Sequence, residues 1–290
     1  MKKTFIFGLM AAALGFTACS SDDDLNVINN TQKGMVLRAT VEQPTETRAT
    51  INDSEATWKF AFATGDNVSV TNSVAAGTYY TFTNDGTTFK SEDAQTTESA
   101  ATWYAYFPSN EVSLVNQSGK MTDVANKYAL AGKTASATTG KDGLTISMSP
   151  KVAILVIDNQ KGAIDINVKA SKNTWVSGLN ASEDGFTVTT ESTKQTLLSA
   201  TATGKYYVAV PARVQLSVKD GDKVIKSTVT SGLVAGNYYN ITVPIYTVTF
   251  DLNGITGTAP ETQKVAKDGK VTKPTDPTDQ VHTFAGWYKT

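Results

Sequence analysis

The chain has 290 residues, and its 26 Lys and Arg residues nearly balance its 27 Asp and Glu residues, for a net charge of −1. No basic block alternates with aromatic residues, which argues against a nucleic acid partner. A single histidine, His282, and a single cysteine, Cys19, are too few for a Ser-His-Asp site, a histidine metal cluster or an intramolecular disulfide. We therefore predict no enzyme activity, no metal and no cofactor, although two carboxylates alone would suffice for glycoside hydrolysis.

The N-terminus has the features of a secretion signal. Lys2 and Lys3 precede an apolar stretch that is well short of the ~20 residues of a membrane-spanning helix. Residues 1–18 end in a small residue before Cys19, and this ending resembles the signal of bacterial lipoproteins. The resemblance implies that Cys19 is acylated, becomes the first residue of the mature chain and anchors it in outer membrane lipid. The alternative is an ordinary signal peptide with an unpaired cysteine.

An acidic run and a polar segment follow the cysteine. Asp22, Asp23 and Asp24 resemble an export tag that carries lipoproteins to the outer leaflet of the outer membrane. The alternative is a solvated spacer. Residues 19–34 end in a stretch rich in Asn and Gln, which predicts a flexible tether. The predicted location is the cell surface, at the outer membrane.

Alternation of apolar and polar residues dominates the rest of the chain and predicts half-buried strands. The clearest segments are 35–41, 103–107, 144–148, 164–168, 206–210 and 239–243. Turn signals separate them, as at Asn84-Asp85-Gly86. Residues 152–157 are apolar without alternation, which predicts a central strand covered on both faces. Residues 121–131 predict a loop or a short helix.

These patterns predict an all-β fold built of antiparallel sandwiches. We place an N-terminal β-sandwich at residues 35–150 and a second at residues 151–244. A different, smaller module occupies residues 245–290, because Pro244 closes a strand and the pattern then restarts.

The sequence gives weaker support to other kinds of functional site. His282 is predicted to be an exposed or loop histidine, and the Asp-Gly pairs are predicted to be hairpin turns rather than calcium loops. The four tryptophans and three Tyr-Tyr pairs could line a glycan groove, although such residues are more often core and cross-strand aromatics. A glycan-binding surface would need exposed, coplanar aromatics on one sheet. The residues concerned are Trp58, Trp103, Trp175 and Trp287, with the tyrosine pairs 79–80, 206–207 and 238–239.

Several segments, in one order, resemble the fimbrillin family of surface pilus subunits. They are 36–41 (VLRATV), 46–51 (ETRATI), 58–60 (WKF), 65–70 (GDNVSV), 103–108 (WYAYFP), 149–155 (SPKVAIL) and 232–243 (GLVAGNYYNITV). The resemblance extends over residues 19–244. It implies two transthyretin-like β-sandwich domains and a role as an adhesin or a minor fimbrial component, at the tip or the anchor.

The same resemblance implies a mechanism of assembly. Such pilins lose an N-terminal strand to an arginine-specific protease, and a strand of a neighbouring subunit then fills the groove by β-augmentation. Arg38 and Arg48 are the two arginines that precede position 213. Arg48 follows a Pro-Thr-Glu-Thr loop and is the better cleavage candidate; the alternative is an uncleaved surface loop. Partners would be other fimbrial subunits, by donor-strand exchange.

The tail resembles a second family, the internalin-type B repeat of bacterial surface proteins. The matching segments are 246–254 (YTVTFDLNG), 270–274 (KVTKP) and 283–288 (TFAGWY). The resemblance implies a small β-grasp-like module, and one that is partial, because such repeats continue past Gly-Trp-Tyr with a further strand. C-terminal strands serve as donors in fimbrillins, so we expect a tip, anchor or free-standing adhesin. The alternative function is a surface lipoprotein that binds glycan, with a host or bacterial surface protein or glycan as partner.

Overall fold

The computed structural model describes residues 34–42, 60–94, 101–134, 143–213, 217–227, 232–254, 256–266, 269–278 and 283–288. Strands dominate these residues, which confirms the all-β prediction. Across the same ranges, no helix has both the length and the apolar character needed to cross a membrane. Cys19, Arg48, Trp58 and His282 lie outside the described residues.

Seven strands of the N-terminal part form one closed sheet, in the order β1-β4-β3-β2-β5-β7-β8, with β8 pairing back onto β1. In chain order the elements are β1 (Met35–Val41), β2 (Asn67–Asn72), β3 (Tyr80–Asn84), β4 (Phe89–Ser91), β5 (Trp103–Phe107), β6 (Glu111–Ser113), α1 (Met121–Lys127), β7 (Leu130–Lys133) and β8 (Leu144–Pro150). Alternate apolar side chains point into the interior that the closed sheet surrounds, and Phe82, Trp103 and Ile146 are among those fully buried. The predicted alternation therefore sets which face becomes the core.

The C-terminal part contains two larger sheets and a small one. Its strands are β9 (Val152–Asn159), β10 (Ile164–Lys169), β11 (Trp175–Ser182), β12 (Gly185–Glu191), β13 (Leu198–Ala200), β14 (Gly204–Pro211), β15 (Ser217–Asp220), β16 (Lys223–Ser227), β17 (Tyr238–Val243), β18 (Ile245–Val248) and β19 (Gln263–Ala266). The first sheet has the order β12-β11-β10-β15-β16, and β13 and β6 pair with β10 and β11. The others are β14-β9-β17 and β18-β19.

Strand β9 is the central strand that its continuous apolar run predicts. It lies between β14 and β17, and Val152, Ala153 and Ile157 are fully buried. Its side chains share one core cluster with those of the neighbouring sheet. Both faces of β9 are therefore covered, and no alternation is required of its sequence.

Most other local predictions are also confirmed. Asn84-Asp85-Gly86 connects β3 to β4, and residues 121–131 contain the short helix α1. The antiparallel prediction holds for every pairing of these strands except two, β1 with β8 and β9 with β17, which are parallel. Strand β6 crosses from the N-terminal part to pair with β11.

The tail is a two-stranded sheet supported by an aromatic cluster. Trp287 contacts Phe250 and Phe284, with ring centroids 5.2 Å apart in both pairs. The Nε1 group of Trp287 is buried and has no hydrogen-bond partner among the described residues. Trp287 of the Gly-Trp-Tyr segment is thus a half-buried residue packed among the aromatic rings of this module.

Candidate strand-exchange site

Strand β1 is the element that closes the N-terminal sheet. On one side it pairs antiparallel with β4, where Leu37 lies opposite Phe89. On the other it pairs parallel with β8, where Leu37 lies opposite Leu144 and Val41 lies opposite Met148. We call the position between β4 and β8 the β1 slot. Without β1, both neighbouring strands would present unpaired N–H and C=O groups.

The inner face of β1 fills the core of the closed sheet. Met35 is 2% exposed and Leu37 is fully buried. Complete burial of one such side chain contributes about 1.5–3 kcal/mol, so the two together contribute about 3–6 kcal/mol. The same burial covers Phe89 on β4 and Leu144 on β8. An empty β1 slot would therefore be an apolar groove bounded by two strand edges.

The outer face of β1 is polar. Arg38 is exposed and points away from the core, because it lies one residue from Leu37. Pairing continues past the strand, where the N–H of Glu42 donates to the carbonyl of Met148 at 2.8 Å. The Ser147 hydroxyl donates to the Glu42 carboxylate at 3.1 Å. These contacts lead directly to residues 43–59, which contain Arg48 and lie outside the described residues.

Aromatic packing fixes the chain on the far side of residues 43–59. The Phe60 ring stacks on Tyr128, with centroids 5.4 Å apart, and meets Phe107 edge-on at 5.1 Å. Phe62 contacts Phe89 of β4 at 4.9 Å. On the β4 side of the β1 slot, Phe89 is therefore packed by a contact that does not involve β1 itself.

The sequence-predicted site residues are not all brought together. Arg38 lies in β1, whereas Cys19 and Arg48 fall outside the described residues, so their predicted roles stay predictions. Three or more His, Cys, Asp or Glu side chains do not converge as a metal site anywhere in the described ranges. The β1 slot itself offers backbone hydrogen bonding and apolar burial.

The aromatic residues do not form one exposed platform within the described residues. Trp103 and Trp175 are buried, at 1% and 8% exposure. The clearly exposed rings, Tyr79, Tyr246 and Tyr288, belong to separate parts of the chain, and Tyr246 alone lies in a strand. The coplanar arrangement expected of a glycan surface is therefore not present in this part of the chain.

A polar cleft lies where the hairpin turn at Ser182–Gly185 meets the outer face of β5, β7 and β8. Its volume is about 280 Å³, and its walls include Tyr104, Ser149 and Lys151. The Tyr106 hydroxyl donates to the Ser182 carbonyl at 2.9 Å. Burial, and next the charge of Arg213, lower the pKa of Lys151. Local sequence patterns do not signal this cleft, because its walls come from strands far apart in the chain.

One family model matches the tail. It is described as the Listeria-Bacteroides repeat domain, and it matches residues 246–290. The prediction of a bacterial surface repeat in the tail is confirmed at this level, while the name internalin-type B stays a proposal. No curated protein matches the chain.

Several solved structures are similar over most of the chain, at low sequence identity. A candidate cell adhesion protein from Bacteroides ovatus ATCC 8483 is 16% identical, with a TM-score of 0.39, over 83% of this chain and 99% of that one. One of the same description from Bacteroides uniformis ATCC 8492 is 15% identical, with a TM-score of 0.40, over 82% and 98%. A fimbrial protein from Bacteroides ovatus ATCC 8483 is 14% identical, with a TM-score of 0.33, over 72% and 48%.

Proposed function

We propose that this chain is a non-enzymatic lipoprotein of the outer membrane, exposed at the cell surface, that acts as a fimbrillin-like adhesin or a minor fimbrial component at the tip or anchor. Its subunits join by β-strand exchange. The observation that carries the proposal is the position of β1, which fills one slot between β4 and β8 and closes the sheet.

Strand exchange follows from what an empty β1 slot would require. An incoming strand gains backbone hydrogen bonds from β4 and β8 and buries alternate side chains in the places of Met35 and Leu37. A donor therefore needs the same alternation of apolar and polar residues. The exchange is favoured because the unfilled slot leaves apolar surface and two strand edges in water.

Cleavage at Arg48 would leave β1 attached by noncovalent contacts alone. Arg48 lies in residues 43–59, between β1 and Phe60, whose ring stacks on Tyr128. Arg38 lies inside a paired strand. A protease binds its substrate as an extended segment, so it reaches Arg38 only after β1 has separated. Arg48 is accordingly the proposed processing site and Arg38 the secondary one.

The proposal also includes a lipid anchor at Cys19 and a division of the chain into domains. Acylation of Cys19 follows removal of residues 1–18, and residues 19–34 form the tether to the surface. One domain spans residues 35–150, the next 151–244, and the repeat module begins at residue 245. Partners are outer membrane lipid, through Cys19, and other fimbrial subunits.

The experiment is arginine-specific cleavage of the mature chain expressed on cells. The product is run on a denaturing gel without boiling. Arg48→Ala and Arg38→Ala, each of which removes one arginine, are run beside it as matched variants. We expect a ladder from the wild type and from Arg38→Ala, and no ladder from Arg48→Ala. Clipping or resistance without a ladder in the wild type would contradict strand exchange and would favour a monomeric surface lipoprotein that binds glycan.

A further inference from the structure

Three lysine ammonium groups surround the indole ring of Trp175. The Nζ atoms of Lys169, Lys219 and Lys194 lie 4.7, 5.7 and 6.0 Å from the ring centroid. At these distances a cation is attracted by the electrons of the ring. The lysines belong to β10, to β15 and to the segment between β12 and β13. We call Trp175 and these lysines the lysine face.

The strand register places the lysine face on the outer side of the sheet. Lys169 lies opposite Trp175 across β10 and β11, and opposite Ser217 across β10 and β15. Lys219 is two residues from Ser217, so its side chain points the same way as that of Lys169. The other face of these strands is apolar and fully buried: Ile166, Val168 and Val218.

Few protein carboxylates pair directly with these lysines, although Glu191 lies opposite Trp175 across β11 and β12. Among the described residues, Lys194 alone of the three has a carboxylate within ion-pair distance, that of Asp222 at 3.5 Å, and the Asp222 side chain is 92% exposed. The Lys169 ammonium donates to the carbonyl of Lys172 at 2.8 Å, and that of Lys219 donates to the carbonyl of Asp222 at 3.4 Å. Carbonyl groups carry no net charge, so the ammonium groups still repel one another.

We propose that the lysine face binds an acidic polysaccharide, one that carries carboxylate or sulfate groups on its sugar rings. An anionic group placed among the three ammonium groups removes their mutual repulsion. The methylene chains of the lysines, which lie over the buried indole ring, supply an apolar surface for the C–H face of a sugar ring. The proposal rests on the proposed function only for the placement of the chain at the cell surface. It uses no residue of the β1 slot.

The test measures binding of four probes to the mature chain carrying Cys19→Ser, which keeps the protein in solution. The probes are polygalacturonate, heparin, dextran and phosphatidylglycerol vesicles, followed by calorimetry and tryptophan fluorescence. We expect binding of polygalacturonate, heparin or both, no binding of dextran, and weakening as salt is added. Carboxylate and sulfate recognition are separated by which of the two acidic chains binds more tightly.

Charge-matched variants locate the site. Lys169→Gln and Lys219→Gln are each expected to weaken binding about fivefold, which corresponds to the loss of one surface cation near an anion. Lys264→Gln removes the same charge from an exposed position on β19 and is expected to leave binding unchanged. Binding should also shift the tryptophan emission in the wild type and fail to do so in Trp175→Phe.

Several results would overturn the proposal. They are equal weakening by Lys264→Gln, equal binding of dextran, binding confined to the vesicles, or binding of none of the probes. The binding assay uses uncleaved monomer, whereas the ladder assay reports strand exchange. A failure of one proposal is therefore distinguishable from a failure of the other.

Discussion

Replacement of Leu37 by alanine tests whether β1 is an integral part of the core. Leu37 is fully buried and lies between Phe89 and Leu144 on the two neighbouring strands. Leu-to-Ala changes in protein cores cost about 2–5 kcal/mol, and the cost rises with the size of the cavity that remains. Because β4 and β8 are fixed in a closed sheet, they cannot collapse into the space. We therefore expect a loss of about 3–4 kcal/mol in the free energy of unfolding.

The assay is equilibrium unfolding in urea of the mature Cys19→Ser chain. Arg38→Ala is the matched control, because it truncates the adjacent, exposed residue of the same strand. Such a surface change is expected to alter the unfolding free energy by less than about 0.5 kcal/mol. Equal losses for the two variants, or a loss below about 1 kcal/mol for Leu37→Ala, would refute the assignment of β1 to the core.

Three further predictions concern the anchor, the closed sheet and alkaline pH. Cys19→Ser should abolish incorporation of labelled palmitate and move the protein from the membrane fraction to the soluble fraction; retention in the membrane would contradict lipid anchoring. In Gly132→Ala the new Cβ would clash with the carbonyl oxygen of Ser147, so we expect a loss of about 3 kcal/mol in the free energy of unfolding. The control is Gly254→Ala, at a φ of +85° with open space around it, which should lower the free energy of unfolding by about 1 kcal/mol. Equal losses for the two variants in urea unfolding would count against the close approach of β7 and β8. Burial raises the pKa of Tyr128 to about 12. Below pH ~10 the tyrosine is protonated in both states, whereas above it the unfolded state alone ionises, so wild-type stability falls between pH ~10 and ~12. Tyr128→Phe should lack the part of this loss that Tyr128 contributes, while burial also raises the pKa values of Tyr106 and Tyr238; a stability difference from wild type that stays constant through that interval would contradict the burial of Tyr128.

Local sequence patterns predicted the strands well, for a simple physical reason. Side chains alternate between the two faces of a strand, so a buried face must read as a period of two, as in β8 and β17. The run Val152–Ile157 lacks this period because β14 and β17 flank β9 and both of its faces are covered. Asn84-Asp85-Gly86 could be placed at a turn because glycine accepts a positive φ without strain. In the structure Gly86 has a φ of +102°.

The candidate sites were predicted less completely. Arg38 could be placed in a strand with an exposed face, but its neighbours β4 and β8 could not be inferred, and β8 begins more than a hundred residues after β1. The sequence singled out Trp175 as an aromatic residue without indicating the lysines around it. Those lysines are brought together by three chain segments separated by 25 or more residues.

By itself, the amino-acid sequence determined which residues face the core, where the chain turns, and that β-sheet is its dominant structure. Tertiary structure alone decided that β1 closes a sheet against β8, that β6 pairs with β11, and that the lysine face assembles on Trp175. The physical reason is that side-chain alternation depends on neighbours along the strand. The choice of partner strand depends instead on packing and loop closure across the whole chain, which local patterns do not record.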